Sequence, residues 1–128
     1  MRMDKLTSKL QSALGEAQSL AVGRDHNEIQ PVHVLLALLD TEGGTVRPLL
    51  DGAGLDVRDL RNRLLKALDD LPTVGQATGD VGASQALVRV LNLSDKLAQK
   101  RGDSFISSEL FVLAALEDKS EAGTILKN

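Results

Sequence analysis

The first regularity along the chain is a run of apolar residues at steps of three and four. Between residues 7 and 22, Leu10, Ala13, Leu14, Ala17, Leu20 and Ala21 fall on one side of a helix. Thr7 is placed to cap its start and Gly23 to end it. A stretch beginning at Ser84 has the same rhythm in Leu87, Val90, Leu91, Leu97 and Ala98 and stops at Gly102. Two further segments, opening at Gln30-Pro31 and at Ser107-Ser108, are apolar nearly all round, the pattern of a helix covered on most faces. Pro31 suits the first helical position. A short helix is predicted over 45–50, after Gly43-Gly44 and before Gly52 and Gly54. Asp56 then caps a helix reaching Leu71, with Val57, Leu60, Leu64, Leu68 and Leu71 as its stripe and Pro72 as its stop. Residues 73–83, TVGQATGDVGA, carry three glycines and little bulk, so they predict a flexible connector.

The two halves repeat one another. IQPVHVLLALLD at 29–40 answers ISSELFVLAALED at 106–118, an offset of 77 (106 − 29). The same offset pairs Leu10 with Leu87, Leu14 with Leu91, Leu20 with Leu97, Arg24 with Arg101, Leu36 with Leu113 and Leu49 with Leu126, without a gap. The expected architecture is all-α: two pseudo-twofold tandem repeats, 1–72 and 84–128, joined by the linker 73–83. At 128 residues the chain is too short for two independent cores, so the repeats must share one. The counterpart of the 57–71 helix falls at 134–148, beyond Asn128. The expectation is therefore a fragment whose second repeat lacks its last helix.

Composition narrows the chemistry. Phe105 and Phe111 are the only aromatics, so the interior is built from Leu, Val, Ile and Ala. The net charge of −3 comes with dispersed Lys and Arg, which gives no basic footprint for nucleic acid or an anionic membrane. Absence of cysteine excludes disulfides, thiolate nucleophiles and Cys-based metal sites. The longest apolar run, VLLALL at 34–39, is far shorter than the ~20 residues of a membrane helix, and the amino end lacks a signal-like apolar stretch. The expected location is the cytoplasm. Nothing matches a zinc-binding H-E-x-x-H, a G-x-S-x-G elbow or a phosphate-binding loop. His33, in an apolar helix, is expected to be a hydrogen-bonded core histidine; the acidic pairs Asp69-Asp70 and Glu117-Asp118 are expected on the surface. No catalytic residue, metal site or cofactor is expected in this chain.

A binding module remains, and the repeat indicates where apolar residues are spare. Glu16 stands at the position equivalent to Leu93 and Gln11 at that equivalent to Val88. Polar residues there predict a face that meets water, so Leu93 and Val88 are expected to be exposed.

MRMDKLT, AQSLAVGRDHNEIQPVHVLLALLD and LVRVLNLSDKLAQKRGDSFISSELFVLAALE resemble the Clp N-domain repeat family, the N-terminal domains of bacterial AAA+ protein disaggregases. The resemblance implies two four-helix units, linked to two ATPase modules that use ATP and magnesium and assemble as a homohexamer. The fragment alone is expected to be a monomer. It also implies capture of unfolded or aggregated polypeptide before threading, in collaboration with the DnaK chaperone system. The family's apolar groove, carried over residue by residue, implies a polypeptide site at Thr7, Leu91, Leu93, Leu97, Asp103, Glu109 and Leu110. Local explanations compete: a cap for Thr7, core packing for Leu91 and Leu97, a loop for Asp103, and dipole compensation for Glu109 in a first helical turn. Relatives that recognise phosphorylated arginine carry T-E-H at the second helix of both repeats. Here Pro31-Val32-His33 and Ser108-Glu109-Leu110 stand instead, and Val32 cannot supply the acid. An adaptor-docking or pore-regulating role is the alternative.

Overall fold

A computed structural model describes residues 3–75, 81–119 and 121–127. Among them seven α-helices follow a 3₁₀ turn at Met3–Lys5. They are α1 (Ser8–Gly23), α2 (Pro31–Leu39), α3 (Val46–Gly52), α4 (Val57–Asp69), α5 (Gln85–Arg101), α6 (Ser108–Glu117) and α7 (Glu121–Lys127). The expected caps at Thr7, Ser84 and Asp56 are in place, and Ser107 caps α6 as well. Thr7, Asp56, Ser84 and Ser107 each accept the N–H of the residue three positions on, satisfying donors that a helix start otherwise leaves open.

The first half's α1 and the second half's α5 bury the same positions. Leu10, Ala13, Ala17 and Ala21 are buried in α1; Leu87, Val90, Ser94 and Ala98, each offset by 77, are buried in α5. Ser94 is tolerated in this stripe because its hydroxyl donates to the Val90 carbonyl at 2.7 Å. Both helices end alike. The N–H of His26 reaches the Ala21 carbonyl and that of Asp103 the Ala98 carbonyl, each at 2.9 Å, around equivalent residues of positive φ, Asp25 at 57° and Gly102 at 73°.

Two strands depart from the all-helical expectation. β1 (Glu28–Ile29) and β2 (Gly82–Ala83) pair in parallel, so the end of the predicted linker is a structural element. Residues 76–80 of that linker lie outside the described residues. A parallel bridge joins Leu6 to Ile106, and under the repeat it is the mirror of the Ile29–Ala83 pair. The bonds correspond: Thr7 N–H to Ile106 O and Ser84 N–H to Ile29 O, both 3.0 Å. Each half thus binds the segment before its own first helix to the segment before the other half's second helix.

Short helices cross between halves as well: α3 packs on α6, and α7 packs on α2 and α4. One continuous cluster runs through α1 to α7 with Phe111 wholly buried, the shared core that length demanded. Two details differ from the sequence expectation. Leu71 lies past the end of α4, half-buried. The gapless pairing of Leu49 with Leu126 fails, since Leu49 is 43% exposed and Leu126 only 3%. Buried Leu50 and Val46 match Leu126 and Ala122 instead, an offset of 76 (126 − 50) that follows from a shorter connection between α6 and α7. There Gly123 lies against the Ala115 and Asp118 carbonyl oxygens, with no room for a Cβ.

Gly123→Ala should therefore lower unfolding free energy by about 1–3 kcal/mol, the cost of overpacking, measured by chemical denaturation. Gly15→Ala, in exposed α1 with open space around it, should raise stability by about 0.5–1 kcal/mol.

Candidate functional site

The α1 and α6 starts gather four of the expected site residues. Thr7, half-buried, caps α1 through its hydroxyl at 3.3 Å from the Leu10 nitrogen, and its N–H holds Ile106. Asp103 is exposed in the loop leading to Ile106 and accepts from Arg101 Nε at 3.3 Å. Glu109, in the first turn of α6, accepts a hydrogen bond from the Thr45 hydroxyl. That bond, with further donors from its own N–H and the Ser107 hydroxyl, holds the Glu109 carboxyl below its ordinary range despite partial burial. Glu109 thus bridges the two halves, which the dipole explanation alone did not anticipate. Leu110 is 3% exposed and belongs to the core.

Leu91, Leu93 and Leu97 lie elsewhere, along α5. All three are half-buried and pack against the core. The expectation that Leu93 is exposed is corrected here. At 100° per residue it sits on the flank of the buried stripe beside Leu97, where the core reaches part of its side chain. Val88 is exposed at 45% as expected, but five residues place it about 140° from Leu93, so the two form no common patch. Asp95, paired to Lys5 at 3.6 Å, marks the side of α5 that faces the amino-terminal turn. Leu91 is on that side, and Leu93 and Leu97 are on the other.

Two residues that sequence reasoning missed complete these places. Phe105, 56% exposed, shares a cleft of about 470 Å³ with Thr7, Leu6 and Gln11; only the strand bridge brings these together. Leu113 is 42% exposed whereas its equivalent Leu36 is 3% exposed. The difference comes from α4, which packs on α2 in the first half, while no described element covers the same face of α6. Glu16, Leu20 and Leu36 line one cleft in the first half, so their equivalents Leu93, Leu97 and Leu113 share one face.

The histidines form a relay rather than a site. His33 Nδ1 accepts the Gln30 N–H at 2.8 Å, and its Nε2 meets His26 Nδ1 at 2.8 Å. His26 in turn bonds the Leu68 carbonyl at the end of α4. These partners assign one proton to each ring, on Nε2, and leave no acceptor for another. Burial, then the neighbouring His26, lowers the His33 pKa to about 4; burial also lowers that of His26 against the pull of the Leu68 carbonyl. Among the described residues no group of three or more His, Asp or Glu could hold a metal, and no helix is long and apolar enough to cross a membrane.

Two helical repeats that exchange strands across a pseudo-twofold axis, with partly exposed leucines and no assembled catalytic groups among the described residues, define a Clp-type N-domain. The chain belongs to the Clp repeat N-terminal domain family, whose pattern matches residues 5–128. It is 56% identical over 126 residues to the chaperone protein ClpB of Pseudomonas putida and 54% identical over 127 residues to that of Vibrio cholerae. These matches cover 98% and 99% of the chain, which spans about 15% of the length of either relative. The Hsp104 N-terminal domain of Candida albicans has the same fold, with a TM-score of 0.85 at 23% identity, covering 96% of this chain and 80% of that one. A ClpV N-domain solved in complex with a VipB peptide superposes with a TM-score of 0.76 at 27% identity, covering 96% and 77%. This chain is thus an N-domain of the kind found in ClpB chaperones.

Two outcomes follow. Thr7→Ala should cost about 0.5–2 kcal/mol of unfolding free energy through the lost cap. Because His33 titrates near 4 when folded but near 6.5 unfolded, its contribution is full above pH 6.5 and lost as pH falls toward 4. The loss is roughly 3 kcal/mol. In urea melts across that window His33→Gln should be less stable than the wild type at pH 7 and show a flatter pH dependence.

Proposed function

We propose that this domain captures unfolded or aggregated polypeptide on the face shared by Leu93 and Leu97. The observation that carries the reading is the half-buried Leu93 on this flank of α5, where the first half has the exposed Glu16. Apolar surface left open in this way marks an interaction site. Leu91 packs on the opposite flank of α5, Leu110 belongs to the core beneath α6, and Thr7, Asp103 and Glu109 act as positioning residues at the junction of the two halves. The similarity to ClpB chaperones supports a longer protein in which capture feeds an ATP- and magnesium-dependent homohexameric ring. That protein works in the cytoplasm with the DnaK system, and this domain serves as its non-enzymatic receptor.

The VipB peptide in the related ClpV complex favours a second reading, docking of a defined peptide or adaptor. Shift mapping by NMR separates the two. A set of unrelated unfolded polypeptides should all move the amides of Leu93 and Leu97 under the first reading, and a single defined sequence alone should do so under the second. Leu93→Gln should cost about 1 kcal/mol of stability, as a half-buried position does, and weaken polypeptide binding by about fivefold, the order of one leucine's partial burial. Undiminished binding by the folded variant would remove Leu93 from the face.

A further inference from the structure

The first half has a cleft of about 580 Å³ between α1, α2 and α4, at the position equivalent to the Leu93–Leu97 face. Half-buried Leu20 and Leu65, with Ala37, form an apolar floor. The rim is charged but not balanced. Arg61 is held by both oxygens of Asp40 at 2.9 and 3.0 Å, Arg47 lies 3.9 Å from the same carboxylate, and Arg24 is held by Asp69 at 2.7 Å, so the three arginines are engaged by Asp40 and Asp69. Glu16 and Glu42 are exposed on the same rim and make no ion pair among the described residues. In the second half the position of Glu16 is taken by Leu93. The repeat has therefore changed the chemistry of one surface while keeping its frame.

We propose that the first-half cleft is a second polypeptide site, selective for apolar segments flanked by Lys or Arg. An aliphatic or aromatic side chain fills the floor over Leu20 and Leu65, and the flanking cations pair with Glu16 and Glu42. Charge complementarity identifies the occupant: an acidic or neutral apolar segment gains the same floor but meets two unpaired carboxylates, whereas a basic one neutralises them. Exposed pairs of this kind are screened by salt, so selectivity is greatest at low ionic strength. The inference rests on reading the domain as polypeptide-binding but uses residues apart from the Leu93 face.

The test is a pair of NMR titrations with unfolded peptides of one leucine- and valine-rich core, flanked by lysines in one and by glutamates in the other. The lysine-flanked peptide should shift the amides of Leu20, Ala37 and Leu65, and the glutamate-flanked peptide should leave them unmoved. The double variant Glu16→Lys, Glu42→Lys changes exposed residues only and should keep its melting midpoint. It should bind the lysine-flanked peptide at this cleft about tenfold more weakly, as expected when two rim charges turn repulsive, while shifts at Leu93 and Leu97 persist. Shifts confined to the second half, or an unchanged affinity in the double variant, overturn the inference and leave the Leu93 reading standing. Shifts confined to the first half do the reverse, and no shift with either peptide removes both.

Discussion

The fold depends on a reciprocal exchange of backbone hydrogen bonds between its halves. Thr7 binds Ile106 and Ser84 binds Ile29 at the same 3.0 Å. Each bond fixes where a first helix starts relative to the opposite half's second helix. A helix cannot by itself specify its partner's position along the axis; a strand pair can, because its bonds are directional and repeat at fixed spacing. With both starts locked, α2 and α6, apolar on most faces, are held at the centre. The helices α3 and α7 then reach across to cover the opposite half. Neither half could bury its own central helix alone, so the exchange makes the single core possible.

Symmetry of the frame does not extend to its surfaces, and function follows from that difference. Equivalent positions hold Glu16 and Leu93, His26 and Asp103, and His33 and Leu110. In the first half a buried histidine relay ties the starts of β1 and α2 to the end of α4. That tie holds the helix that covers Leu36. In the second half an exposed acid, Asp103, and a core leucine, Leu110, replace the relay. Duplication supplies one stable geometry twice; divergence at positions the core does not need lets each copy present its own surface.

Much of this was legible from the chain. Helical period, caps at Thr7, Asp56 and Ser84, and the 77-residue offset determined the element order, the shared core and the buried stripes of α1 and α5, because these depend on local propensity and on burial that repeats with the helix turn. Strands of two residues carry no periodic signal, so β1 and β2 were invisible, as were the bonds that make Thr7 a link between halves. The one-residue change of offset before α7 was hidden for a similar reason. A gapless match scores Leu49 against Leu126, and only packing shows that Leu50 is the buried one. Leu93 shows the limit for the site: a helical wheel assigns a direction, whereas exposure depends on which neighbour arrives there. Phe105 and Thr7, and Glu109 and Thr45, meet only because the tertiary structure brings distant segments together, and no spacing along the chain records such distances.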